Sequence, residues 1–386
     1  MSKLKEDSIG EIIMLENCSR KVLATSLVLV MCLAGATIMY SDDSDADGSF
    51  TITDTTGKIF EYSSASDKVV AFGYSATLTV AQSGQVAKLY AVDKYGKEAL
   101  TDYGYTFSGV DVATCSSSNA DSIYTQLVQA KEAGAISLDD TIILTTYSAN
   151  IQPGGLRDRL ETAGFTHVLF YGTMVDYDAV VDCVRGICLA CGGTDLGIPM
   201  ENTKNTVIQR LTENGNPKTD AIFIWYTPSS GWGYGNTGSI SVALMNQAGA
   251  NNIAYNSDSA AAVVYDKSTI QTLLGLCKDA VIFLDSGYIR SYGGSVESFV
   301  DEVMGGDYGD HKIVVVERTW NNYDAEAADG LWAMASVLHS DLFDGEVTVY
   351  TGGKNDSDNS LLIYGCIVAA IIIVGVVALI FVRSRH

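Results

Sequence analysis

The stretch Trp225 to Ser241, WYTPSSGWGYGNTGSIS, carries G-x-G-x-x-G at Gly233, Gly235 and Gly238, between an apolar run and a helix-like segment. Glycines at this spacing let a backbone approach a pyrophosphate. A dinucleotide site also wants an acid about 20 residues further on for the ribose, a distance that Asp258 meets. Two features speak against a nucleotide. Thr227 to Trp232 make the turn out of the strand too long, and a phosphate cradle has no use for Trp225, Tyr226, Trp232 and Tyr234. The stretch reads better as flexible glycine backbone supporting Trp232 and Tyr234. These rings either face a flat or apolar ligand or pack on the protein itself, since aromatics bury large areas and stack well.

Other segments that follow apolar runs are similarly enriched. FGYS supplies Tyr74, TTYS supplies Tyr147, and YGTMVDY supplies Tyr171 and Tyr177. DSGYIRSYGG supplies Tyr288, Arg290 and Tyr292, and ERTWNNY supplies Arg318, Trp320 and Tyr323. In open α/β sheets ligands sit beyond the carboxyl ends of the strands, where these residues fall. The candidate ligand-binding residues are therefore Tyr74, Tyr147, Tyr171, Trp232, Tyr234, Tyr288, Arg290, Arg318 and Trp320. Arg290 and Arg318 could hold ligand carboxylates or phosphates bidentately, or form ordinary surface salt bridges.

Signals for covalent or metal chemistry are weak. Cys183, Cys188 and Cys191 form C-x4-C-x2-C, the start of a plant-type iron–sulfur spacing. A fourth ligand would have to be the distant Cys277, and the segment DAVVDCVRGICLACGG reads as a helix in which small apolar cysteines pack. His167, His311 and His339 lie in different elements, whereas a zinc site gathers its ligands. No G-x-S-x-G nucleophile signature is present. The expectation is a binding protein with no enzymatic activity, no resident cofactor and no metal site of its own.

The elements that must position these residues follow a strand–helix rhythm. FTITDTTGKIFEY alternates as a hairpin. KVVAFG, VAKLYAVD, DTIILTT and HVLFYG read as strands, interleaved with helices in SATLTVAQSG (Ser75 as N-cap, Gly84 as stop), ADSIYTQLVQAKEAG and GLRDRLETAG. A longer helical stretch runs from about Asp176 to Leu211, broken near Gly192-Gly193 and Pro199. The rhythm then resumes with strands AIFIWY, AVIFLD and KIVVVE. Helices are expected in SISVALMNQAG, STIQTLLGLC, SVESFVDEVM and AEAADGLWAMASVLHSDLF. Alternation of this kind indicates mainly parallel sheets built from βαβ units.

The ends define the compartment. Residues 22–40 are apolar, follow Arg20 and Lys21, and include Ala34-Gly35-Ala36, which reads as a secretory signal or, uncleaved, a signal anchor. Cys32 lacks the small preceding residue that lipidation wants. Residues 361–382 are an uncharged apolar run followed by Arg383 and Arg385, long enough to span a bilayer with the basic tail inside. Acidic, Ser-rich spacers, SDDSDADGS and GGKNDSDNS, flank the exported region, and the second carries the sequon Asn355-Asp356-Ser357. A formal charge of −22 argues against nucleic acid as a partner and for solubility. Of the eight cysteines, those of the exported region are Cys115, Cys183, Cys188, Cys191 and Cys277. That odd number leaves at least one outside any disulfide within the monomer.

Four stretches in order resemble the helix-linked (class III) ABC-transporter substrate-binding proteins, the iron-siderophore, haem and cobalamin binders. They are FTITDTTGKIF running into KVVAFGYSATLTVAQSG, then CGGTDLGIPMENTKNTVIQRL, then TDAIFIWYTPSSGWGYGNTGSISVALMNQAGANNIA, and finally GLWAMASVLHSDLF. The resemblance implies two Rossmann-like α/β lobes joined by one long helix, with a metal-chelate or tetrapyrrole ligand in the cleft and an ABC permease as partner. It divides the chain into a signal or anchor (1–40), an acidic linker (41–48), an N-terminal lobe (49–194), an interlobe helix (195–216) and a C-terminal lobe (217–351). A stalk (352–360), a transmembrane helix (361–382) and a cytoplasmic tail (383–386) complete it. The protein would sit at the cell surface, anchored in the cytoplasmic membrane with its lobes outside. The family's permease-docking glutamates are only partly matched. Asp121 could stand for the first, and SISVALMNQAG has no acid for the second. A surface receptor or adhesive module without a permease is the alternative.

Overall fold

The structure is a computed structural model that describes residues 49–146, 155–255 and 261–352. Tyr147, Asp258, both spacers, the sequon, and the apolar segments 22–40 and 361–382 lie outside them. Among the described residues no helix is long and apolar enough to cross a membrane.

The chain opens with a two-stranded hairpin, β1 (Phe50–Thr53) and β2 (Ile59–Tyr62). A five-stranded sheet follows. Its strands are β3 (Lys68–Phe72), β4 (Leu89–Val92), β5 (Val110–Asp111), β6 (Thr141–Thr146) and β7 (His167–Tyr171), in the order β5-β4-β3-β6-β7. Every pairing is parallel. The strands β3 and β6 are central, and their near-continuous apolar sequences suit a sheet covered on both faces. Between the strands run α1 (Tyr74–Val80), α2 (Lys94–Asp102), α3 (Ala120–Glu132) and α4 (Leu156–Thr162). Val70, Ile143 and Val168 of the sheet pack with Ile123 and Leu127 of α3 and Leu156 and Leu160 of α4.

Two helices carry the chain to the second sheet, α5 (Tyr177–Cys191) and α6 (Gly197–Glu213). Asp176 caps α5 by accepting the Ala179 N–H at 2.8 Å. Gly192, at φ 66° in the left-handed region, stops it, and the Gly193 N–H returns to the Cys188 carbonyl at 2.8 Å. This is the closure that glycine makes cheap. Pro199 does not break a helix. It sits in the first turn of α6, where a missing N–H costs nothing.

The second sheet has six strands. They are β8 (Thr219–Thr227), β9 (Gly231–Gly235), β10 (Ala250–Asn252), β11 (Val263–Val264), β12 (Val281–Asp285) and β13 (Lys312–Val316). The order is β11-β9-β8-β12-β13, with β10 also on β8. Pairings β8–β12, β12–β13 and β8–β10 are parallel, whereas β8–β9 and β9–β11 are antiparallel. The helices are α7 (Ile240–Gln247), α8 (Lys267–Leu276), α9 (Gly287–Tyr292), α10 (Val296–Phe299, widening into a π turn over Val300–Met304) and α11 (Ala327–Leu338). Ile222, Ile224, Ile282 and Ile313 pack with Ile270, Leu274, Phe299 and Val303 into one core.

The fold is thus α/β with one wholly parallel sheet and one mixed sheet. Two local expectations are corrected. Ser75 is not an N-cap: α1 starts at Tyr74 after Gly73 with no side-chain cap, because the Ser75 hydroxyl donates to Asp324 instead. The glycine backbone at Gly233 and Gly235 is not flexible but the strand β9. DSGYIRSYGG contains the short helix α9.

Candidate functional site

The strand β9 decides the fate of the opening motif. Two of its glycines, Gly233 and Gly235, are packing positions. A Cβ on Gly233 would lie 2.8 Å from Tyr265, and one on Gly235 would lie 2.5 Å from Val242 and 2.7 Å from Trp225. Trp232 and Tyr234 are 4 % and 3 % exposed. Trp232 packs at a tilt against Tyr288 at 4.5 Å and edge-on against Phe299 at 5.1 Å, and its indole N–H donates to Glu302 at 3.0 Å. The Tyr288 hydroxyl is 2.7 Å from that of Ser298. These three rings are core, so the expectation that they face a ligand is corrected. An antiparallel hairpin turned them into the sheet's own packing.

Tyr171 is corrected in the same way. It ends β7 with 2 % exposure, and its hydroxyl occupies the space above Gly186, where a Cβ would come within 2.3 Å. Burial holds this phenol well above its ordinary pKa. Tyr177 is also interior and donates to the Met200 carbonyl at 2.9 Å. Trp320 is half-buried, with its backbone and Cβ against Gly330 of α11.

Two of the candidates, Arg290 and Arg318, come together at the strand ends between the two sheets. A cleft of about 440 Å³ is lined by Tyr95 and Glu98 of α2, by Asp285, Ser286, Gly287, Arg290 and Ser291 at the end of β12 and on α9, and by Arg318 after β13. Each follows the carboxyl end of a parallel strand, the place where such sheets bind ligands. The volume lies within the range of small-molecule sites.

Arg318 joins the two sides. It donates to Glu98 at 2.5 Å, lies 3.9 Å from Asp102, and its guanidinium sits 4.0 Å above the ring of Tyr74. Tyr74 in turn donates its hydroxyl to Asp102 at 3.0 Å. Burial and this carboxylate push the Tyr74 phenol up. α2 is held in place by Asp93, which caps it through the Gly96 N–H and also accepts the Gly73 N–H, both at 3.0 Å. One carboxylate therefore ties the ends of β3 and β4 together beneath the cleft.

A polar seam continues beside it. Ser75 donates to the fully buried Asp324 at 2.8 Å, and Gln82 donates to Glu326 at 2.5 Å. Burial raises Asp324 to about 7, and burial with the neighbouring Glu326 raises Asp329 to about 6. Asp285 is raised too, by burial, against the opposing hydrogen bonds from the Gly287 N–H and the Asn321 side chain. In contrast to Arg318, Arg290 is exposed and makes no ion pair among the described residues.

The residues singled out for metal chemistry are dispersed. Cys183, Cys188 and Cys191 are buried in α5, and burial pushes the Cys188 thiol up to about 12. The five described cysteines form no disulfide. His167 stacks on Tyr62 at 4.1 Å, His311 bonds the Ala280 carbonyl at 3.1 Å, and His339 bonds that of Gly249 at 3.3 Å.

No family model matches the chain, and no curated protein matches it in sequence. Solved structures do resemble it. The periplasmic haem-binding protein RhuT from Roseiflexus sp. RS-1, in apo form, is 13% identical with a TM-score of 0.52, covering 72% of this chain and 99% of its own. CeuE of Helicobacter pylori in a nickel–histidine complex is 11% identical with a TM-score of 0.52, covering 76% of this chain and 89% of its own. A periplasmic binding protein from Veillonella parvula is 11% identical with a TM-score of 0.51, covering 76% and 98%. The fold is that of these periplasmic binding proteins, as the resemblance in the sequence implied.

Proposed function

We propose that this chain is an extracellular substrate-binding protein of the ABC-importer type that captures a small ligand in the cleft between its two sheets. The observation that carries the reading is the cleft itself. It lies at parallel strand ends, draws Tyr95 and Glu98 from one side and Arg290 and Arg318 from the other, and belongs to a fold shared with periplasmic binding proteins. Arg290, exposed and without an ion pair, is the natural contact for an anionic ligand group. Capture needs no covalent step.

Iron-siderophore, haem and corrinoid-type ligands are the candidate cargo. Apart from Tyr95 and Gly287, the lining residues are polar or charged. That favours a compact polar chelate over a macrocycle, whose broad apolar faces want aromatic or aliphatic walls. The apolar run 361–382 with its basic tail supports anchoring in the cytoplasmic membrane, lobes outside, and the segment 22–40 supports export. The absorption spectrum of the full-length chain, extracted from its native cell in detergent, tests the reading. A charge-transfer, Soret or corrin band is expected. A featureless spectrum, with no thermal shift on adding chelates of these classes, would sink it.

A second reading, a surface receptor that works without a permease, is favoured by one observation. The helix α7, which would offer the second docking acid, contains none, and Asp121 is engaged by Arg159 at 2.7 Å. Co-isolation of a permease with the chain from detergent extracts separates the two readings.

A further inference from the structure

Asp285 ends β12, lines the cleft and is half-buried. Its Oδ2 accepts the Gly287 N–H at 2.9 Å and Asn321 lies beside the carboxylate, yet Asp285 makes no ion pair among the described residues. Asn321 is itself fixed by donating to the Ser241 hydroxyl at 2.9 Å. A carboxylate partly withdrawn from water without a counter-ion is costly, and proteins ordinarily pair such a group.

The obvious partners stand in the same cavity and are not used. Arg318 is spent on Glu98, Asp102 and the face of Tyr74. Arg290, one turn along α9, stays exposed and makes no ion pair among the described residues. Two opposite charges in one cleft of about 440 Å³ are thus left uncompensated, one in the wall and one at the mouth. A purely structural pair would have closed on itself.

We propose that Asp285 is the cleft's receptor for a cationic group of the ligand, an ammonium or a similar N–H donor. This deepens the binding role proposed above and rests on it. With Arg290 taking an anionic group, the cleft selects ligands of mixed or slightly positive charge. It disfavours wholly anionic chelates, which would meet Asp285 and Glu98 in a chain of formal charge −22. The carboxylate supplies an acceptor already oriented by Gly287 and Asn321, so it loses little freedom when a donor arrives.

The test compares two probes on the full-length chain in detergent by quenching of tryptophan fluorescence. One is ferrioxamine B, a neutral ferric trihydroxamate with a pendant ammonium. The other is its N-acetyl derivative, with the same core and no charge. The expected result is tighter binding of ferrioxamine B by about tenfold to a hundredfold, the range of a charge-assisted hydrogen bond. Asp285→Asn keeps an acceptor for the Gly287 N–H and is expected to erase that preference, bringing the two probes to equal affinity. Equal affinity for both probes, or a preference that survives Asp285→Asn, overturns the proposal and leaves the binding role standing. So does binding of haemin or cobalamin with neither hydroxamate bound. Binding of none of the four overturns the proposal and counts against the binding role itself.

Discussion

The aromatic cluster on β9 and the cleft wall at the ends of β12 and β13 belong to the same sheet, and they treat their side chains in opposite ways. Around Trp232 everything is sealed and satisfied. The rings pack tilted and edge-on against one another, the indole N–H has Glu302, and Gly233 and Gly235 let Tyr265, Val242 and Trp225 close in. In the cleft, Arg290 and Asp285 are left without counter-charges although each could have had one. Residue type alone therefore does not distinguish core from site at a strand end. What distinguishes them is whether the polar and aromatic groups have already found partners within the chain.

The contrast can be broken from either side. The largest effect is expected from Trp232→Ala. Removing a buried indole should lower the unfolding free energy by about 3–5 kcal/mol, read by denaturant melts. A variant that kept its stability and lost only ligand would put Trp232 back in the site.

Asp324 comes next, because a buried carboxyl held near 7 makes the seam sensitive to pH. The folded protein binds a proton more tightly here than the unfolded chain does. The stability this group contributes is therefore full below about 4, its ordinary range, and is lost as pH rises through about 7. Asp329, raised to about 6, acts in the same sense. Thermal melts between pH 4 and pH 8 should show a falling contribution, and Asp324→Asn should flatten it. An unchanged slope in the variant would show that the carboxylate is not buried as described.

A smaller effect belongs to the clasp. A double-mutant cycle on Arg318→Ala and Glu98→Ala is expected to give a coupling of about 1 kcal/mol or less, as both groups are partly exposed and screened. The smallest stability effect is expected for Arg290→Gln, within about 0.5 kcal/mol of wild type, combined with at least about a tenfold loss of affinity for an anionic ligand group. Equal affinity in the variant would remove Arg290 from the site.

Much of the fold was legible because the parallel strands are continuous apolar runs and the helices carry their own start and stop signals, such as Asp176 before α5 and Gly192 after it. The hairpin β8–β9 was not. Trp-Gly-Tyr-Gly alternates as a strand should, but glycine weakens that signal, and the packing that requires Gly233 and Gly235 comes from Tyr265, Val242 and Trp225, partly remote in sequence. Of the site, Arg290 and Arg318 were readable because cations are scarce in so acidic a chain. Tyr74 was readable as the residue just past β3. Tyr95, Glu98 and Asp285 were missed. The helix α2 that presents the first two is signalled locally by Asp93 as a cap before KYGKEAL, a start signal that went unread. Asp285 looks like any strand-ending acid until its lack of a cation is visible in three dimensions.

The most direct measurement is hydrogen exchange of the full-length chain, carrying the chromophore it brings from its native cell and again after that chromophore is removed. The account predicts protection on loading in residues 94–102, 285–291 and around Arg318, with no change in 231–235, whose amides are already locked in the sheet. Protection centred on 231–235, with the cleft segments unaffected, would contradict it.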